Sequence, residues 1–114
     1  MKNFNHYKEM INTPYRERHG VKLGNNVRMF YDIMSKCIHI WYHNTVIIEI
    51  SKNNVYTLTT GGWYSVSTFS NLNKLCPFYI SRKSVGNRCG VDLGQEFTDG
   101  MRLKQFGNDF IEII

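Results

Sequence analysis

Alanine is absent from this 114-residue chain, and proline occurs only twice. Since alanine is the strongest helix former, a helical bundle is not the expected fold. No apolar run is longer than the three residues Val46–Ile48, whereas a bilayer-spanning helix takes about 20. The opening stretch MKNFNHYKEM has a lysine but no apolar run behind it, so no secretory signal is expected. Cysteine is sparse and odd in number: Cys37, Cys76 and Cys89 form no C-x-x-C pair. That spacing argues against a zinc site, and no metal or other cofactor is expected. The three thiols read as reduced, small packing groups of a cytosolic protein.

What is plentiful is aromatic and cationic. Tyr, Phe and Trp make up 14% of the residues and favour pleated strands. Net charge is +5, unevenly placed. Residues 1–28 hold six Lys/Arg against two Glu (+4), and residues 29–114 hold eight against seven acidic residues (+1). A basic arm on a near-neutral body suits an acidic or phosphate-bearing partner. The length predicts one domain, residues 21–114, preceded by a basic arm or short helix over 1–20. So short a chain would gain from forming a homodimer or higher oligomer.

Phe4, Tyr7 and Ile11 at helical spacing, with asparagines ahead of them, predict one short helix that ends at Pro14. From Gly20 onward the pattern becomes β. NNVRMFYDI, KCIHIWYH, TVIIEIS and VYTLTT are separated by short turns at His43-Asn44 and Lys52-Asn53-Asn54. Such short connections predict an antiparallel meander, with Val46, Ile48 and Ile50 on one side of their strand. Ser67 or Thr68 is placed to cap a short helix carrying Phe69, Leu72 and Leu75, ended before Pro77. FYISRKS and CGVDLG are expected to pair as a hairpin turning at VGNR, and Thr98-Asp99-Gly100 to turn into a last strand. The fold class is therefore α+β, mainly β: a small antiparallel sheet of about five to seven strands with one or two short helices.

Within the stretch TTGGWYS, Gly61-Gly62 lacks the Lys-Ser/Thr that a phosphate-binding loop needs, and no G-x-S-x-G elbow is present. The pair is expected to bend a strand, with Trp63 folded inward as a core anchor and extended structure after it. The string WYHNTVIIEISKNNVYTLTTGGWYSVSTFSNLNKL, with TDGM further on, resembles a widespread group of small bacteriophage proteins. The matching positions are His43, Thr45, Ile47, Leu58, Thr60, Gly61, Gly62, Trp63, Ser65, Val66, Ser67 and Thr68. Where that group continues with Lys-Arg-Arg, this chain has Phe69-Ser70-Asn71, so cations are missing there. Spanning roughly residues 24–104, the resemblance implies a phage or prophage accessory protein.

Three chemistries compete. His39 and His43 share one face of a strand but lie about 13 Å apart, too far for one metal ion. Asp92, Glu96 and Asp99 are the one acidic cluster, and two carboxylates could hold Mg²⁺ for phosphodiester cleavage. Asp92 and Asp99, however, stand where turns favour aspartate for its backbone hydrogen bonds. Cys76 has no histidine nearby in sequence to activate it. The cations Arg16, Arg18, Lys22 and Arg28, joined by Arg82, Lys83 and Arg88 of the predicted hairpin, could form one positive face among interleaved tyrosines. The competing reading is that those tyrosines pack the sheet and the charges keep it soluble. The expectation is a non-enzymatic phage protein that inhibits a host defence or other host process, anti-CRISPR-like or signal-sequestering. Its partner would be a host defence protein, a nucleoprotein complex or a nucleotide signal, with no membrane involved. The alternatives are direct nucleic-acid binding and, behind it, a small metal-dependent nuclease.

Overall fold

A computed structural model describes residues 2–81, 84–87, 92–106 and 109–113. Two short helices come first, α1 (Phe4–Met10) and α2 (Pro14–His19), followed by strands β1 (Val21–Gly24), β2 (Val27–Asp32), β3 (Cys37–Tyr42), β4 (Thr45–Ile50) and β5 (Val55–Leu58). Helix α3 (Val66–Leu75) then leads to β6 (Phe78–Ile80), β7 (Val85–Asn87), β8 (Asp92–Gln95), β9 (Met101–Phe106) and β10 (Asp109–Ile113). A seven-stranded sheet runs β1-β2-β3-β4-β5-β9-β10, and β6-β7-β8 form a second sheet of three strands. Every pairing is antiparallel. The predicted class is the class observed, with strands β1, β7 and β10 and helix α2 in addition to the elements expected. Among the described residues, no helix is long and apolar enough to cross a membrane.

Side chains alternate between the two faces of a strand, so register sorts them. Met29, Ile40, Ile48, Leu58 and Met101 stand opposite one another in succession across β2, β3, β4, β5 and β9, and all are buried. Ile38, Ile50, Tyr56 and Leu103 form a second buried row. Covering this face are Phe4, Tyr7 and Ile11 of the α1 segment, Phe69, Leu72 and Leu75 of α3, and Phe78 and Ile80 of β6, in one core. The predicted N-terminal helix thus has its apolar stripe where the spacing put it. Cys37 and Cys76 are buried and unbridged, as expected of packing thiols; Cys89 lies outside the described residues.

Four local expectations are overturned. Pro14 opens a helix instead of closing one: it occupies the first turn of α2, where its missing N–H is harmless, and Thr13 caps that turn by accepting from Arg16 N. The α3 cap is Ser65, two or three residues earlier than predicted, so Ser67 and Thr68 lie inside the helix rather than in extended chain. VGN is no turn but the middle strand of the small sheet, because β6 and β8 pair on either side of it. Val46 does not join Ile48 and Ile50 in the core. A bulge leaves Ile47 unpaired, sets Val46 against Trp41, and buries Ile47 in Val46's place.

Polar anchors tie the helices to the sheets. The Tyr7 hydroxyl donates to the Leu75 carbonyl at 2.6 Å, and the Tyr56 hydroxyl to the Lys2 carbonyl at 3.0 Å. The Asn73 side chain acts as a strand edge for β6: its Oδ1 accepts from Ile80 N at 2.6 Å, while its Nδ2 donates to the Ile80 carbonyl. Burial pushes the Tyr7 and Tyr56 phenols far above their ordinary value of 10.0, with Cys76 adding to both. Each phenol therefore holds its proton more tightly in the folded state than in the unfolded one. The stability these two phenols contribute is fully present below pH about 10 and is lost as the pH rises above it. Urea titrations from pH 8 to 11 should show that decline. Tyr7→Phe should be less stable by about 1–2 kcal/mol at pH 8, because the Leu75 carbonyl loses its donor, and its alkaline decline should be shallower.

Candidate functional site

The face of the large sheet turned away from α1 and α3 carries different chemistry. Lys22, Arg28, Trp41 and Val46 make one row across β1 to β4. Phe30, His39, Glu49, Thr57 and Arg102 make the next, across β2, β3, β4, β5 and β9. Lys22, Arg28 and Arg102 are exposed, and Phe30 and Trp41 are half-buried. His39 Nε2 lies 3.9 Å from Glu49 Oε2, a cross-strand pair that occupies the face's one carboxylate among these rows. Lys22, Arg28, Phe30 and Trp41 line a shallow cleft of about 680 Å³ that ends at His43 and Asn44.

The His43-Asn44 turn separates this cleft from another. Beyond it lies a cleft of about 420 Å³, lined by Tyr42, His43, Asn44 and Thr45 on one side and Thr60, Trp63, Ser65, Ser67 and Thr68 on the other, with Ile47 between. Residues about twenty positions apart meet here because the β3–β4 hairpin and the start of α3 converge. His43 adopts a φ of 54, uncommon for a residue with a side chain. Its N–H donates to the Asn26 carbonyl at 2.8 Å, and its ring lies 4.4 Å from that of Tyr42.

The far wall is fixed by a carboxylate. Asp99 Oδ1 accepts from Thr60 N at 2.7 Å and from Thr60 Oγ1 at 2.9 Å. The Thr60 Oγ1 in turn accepts from Gly62 N at 3.2 Å. Behind that clamp the chain reverses through Gly61 (φ 64) and Gly62 (φ 89), then caps α3 with Ser65, whose hydroxyl accepts from Thr68 N. The hydroxyls are chained: Tyr42 donates to Ser67 at 3.1 Å, Ser67 meets Ser65 at 3.1 Å, and Ser65 meets Thr68 at 2.9 Å. Trp63 is 70% exposed at the rim. The expectation that it anchors the core is thus wrong: two successive left-handed glycines turn the chain outward, and Phe69 and Phe97 fill the core space instead.

The basic residues picked from the sequence are only partly assembled. Lys22 and Arg28 are direct partners on the outer face. Arg16 is turned back on its own segment, donating to the Met10 carbonyl at 3.0 Å, and Arg18 is exposed on α2. Arg28 also donates to the His19 carbonyl at 3.1 Å, closing the end of α2. Arg82, Lys83 and Arg88 lie outside the described residues. Sequence reasoning missed Arg102, which the β5–β9 pairing brings to the same face, and Trp41 as the aromatic neighbour of Arg28. The signal for Trp41 was its alternation with Ile40; for Arg102 there was none without the pairing. Of the acidic cluster, Asp99 serves Thr60, and the side chain of Asp92 is not among those described. Among the described residues, no group of three or more His, Cys, Asp or Glu could hold a metal ion.

The family model described as Kyanoviridae Gp96 protein matches residues 5–110. The chain belongs to that bacteriophage protein family. No curated protein and no solved structure matches it.

Two stability measurements check the architecture of the far wall. A Cβ added at Gly61 would lie 2.4 Å from Thr45 Cγ2, whereas one at Gly62 would meet nothing within 4 Å. Gly62→Ala should cost about 1 kcal/mol, for the left-handed backbone alone, and Gly61→Ala at least about 1 kcal/mol more, because the stiff threonine must move. Asp99→Ala should lower stability by about 1–3 kcal/mol, since the backbone N–H of the buried Thr60 loses its acceptor, and Asp99→Asn by less.

Proposed function

We propose that this member of the Kyanoviridae Gp96 protein family is a non-enzymatic binding protein whose outer sheet face takes a phosphate-bearing, nucleotide-type target. The observation that carries the reading is the row Lys22–Arg28–Trp41, flanked by Phe30, on a solvent-facing surface. Cations supply attraction to phosphate, and flat side chains between them supply stacking area that any base can use. The Arg28 guanidinium is steered by its bond to the His19 carbonyl and has further N–H donors to offer. Asp99, the carboxylate that a nuclease reading would place on a metal ion, already accepts two hydrogen bonds from Thr60, which favours binding over cleavage.

Interference with a host defence or another host process is the role this reading gives the protein, and that part rests on the phage family. Capturing a nucleic acid, or a nucleotide carried by a host component, would achieve it without any bond being broken.

Titration of a fluorescein-labelled single-stranded 12-mer tests the binding claim. Affinity should fall steeply and linearly in log–log form as salt rises, and Lys22→Ala should weaken binding and reduce the slope by about one. Arg28→Lys should retain most of the salt slope but lose affinity, because the planar fork is replaced by a point charge. Binding that ignores salt, or a Lys22→Ala protein indistinguishable from the original, would remove the outer face from consideration.

A further inference from the structure

We infer that the hydroxyl-lined cleft beside Trp63 is a nucleoside subsite, so that one nucleotide straddles the His43-Asn44 turn with its phosphate on the Lys22–Arg28 side. This rests on the binding reading above and adds the class of ligand and its orientation. The two clefts share His43 and Asn44 as a common wall, and no other lining residue belongs to both. Their chemistry is opposite. One presents Lys22 and Arg28; the other is lined by no lysine, arginine, aspartate or glutamate among the described residues.

A ligand that fills both must be anionic at one end and neutral, flat and rich in hydrogen-bonding groups at the other. A nucleotide has that division. The neutral cleft fits the second end in three respects. Trp63, exposed at the rim, offers an indole ring for stacking, and Tyr42 and His43 add two more rings on the facing wall. The chained hydroxyls of Tyr42, Ser67, Ser65 and Thr68 can reverse their proton directions, since either partner can donate in two of the three links. Such a chain presents donors or acceptors as a ribose or base edge requires. Ile47, driven inward by the bulge, supplies an apolar side between the two walls.

The chain contains only two tryptophans, and each cleft holds one of them. The two indole Nε1–H resonances of the ¹⁵N-labelled protein, assigned with Trp41→Phe and Trp63→Phe, therefore report the clefts separately. Adenosine should shift the Trp63 resonance and leave Trp41 in place. Pyrophosphate should shift Trp41 and leave Trp63 in place. Adenosine diphosphate should shift both and bind about 10- to 100-fold more tightly than either piece, as joined binding elements do. Trp63→Ala should weaken adenosine diphosphate about tenfold and pyrophosphate not at all.

If pyrophosphate moves Trp41 while adenosine leaves Trp63 unmoved at millimolar concentration, the nucleoside subsite is refuted and the phosphate-binding face stands. If neither probe moves its tryptophan and the 12-mer also fails to bind, both readings fall. Should methyl α-glucopyranoside move Trp63 while adenosine does not, the cleft is a sugar site and the inference is wrong.

Discussion

A single extra residue in β4 governs how this molecule divides its two faces. Antiparallel pairing with a strict period of two would have stacked Val46 on Ile48 and Ile50 and left Ile47 outside. The bulge at Ile47 breaks that alternation once, close to the strand's beginning. Downstream of it, Ile48 and Ile50 remain in register with Ile40 and Ile38 and close the core. Upstream, Val46 lies against Trp41 on the solvent side, and Ile47 turns into the space between the β3–β4 hairpin and α3. Since a one-residue slip exchanges the faces of everything beyond it, the bulge confines the exchange to the strand's first two residues.

The neutral cleft depends on polar contacts of a different kind. Thr60 and Thr68 are both buried, and both hydroxyls are satisfied, one by Asp99 and the other by Ser65. A buried hydroxyl without a partner is costly, so these bonds fix the positions of Thr60 and of the α3 cap more tightly than apolar packing alone would. Asp99 reaches Thr60 because Gly100 adopts a φ of 85 and its N–H donates to the Leu58 carbonyl, closing the turn into β9. The carboxylate thereby holds together two segments of chain about forty residues apart.

Much of the fold was legible one element at a time. The apolar stripe Phe4–Tyr7–Ile11, the hairpin turns at His43-Asn44 and Asn53-Asn54, and the turn at Asp99-Gly100 each rest on local chemistry that neighbours do not override. What misled was chemistry with two local readings. Pro14 suits a helix start as well as a stop, and Thr13 ahead of it decides the matter by capping. Val85-Gly86-Asn87 has the composition of a turn, yet pairing with β6 and β8 makes it a strand. The candidate site was legible in its ingredients and not in its assembly. Lys22 and Arg28 were chosen for charge, while Trp41, Arg102 and the outward turn of Trp63 depend on which strands lie side by side.

By itself the sequence determined the class of structure. Short turns forbid parallel crossovers, the lack of alanine and the wealth of aromatics favour strands, and the alternation within each strand separates an apolar side from a polar one. These are constraints between residues a few positions apart, and they hold whatever the rest of the chain does. Only the tertiary structure decided that Lys22, Arg28 and Trp41 share a row, that Thr45 faces Ser67 across a cleft, and that one turn divides a cationic cleft from a neutral one. Those relations join residues far apart in the chain, and they are fixed by register and by buried hydrogen bonds, which exist only once the strands have paired.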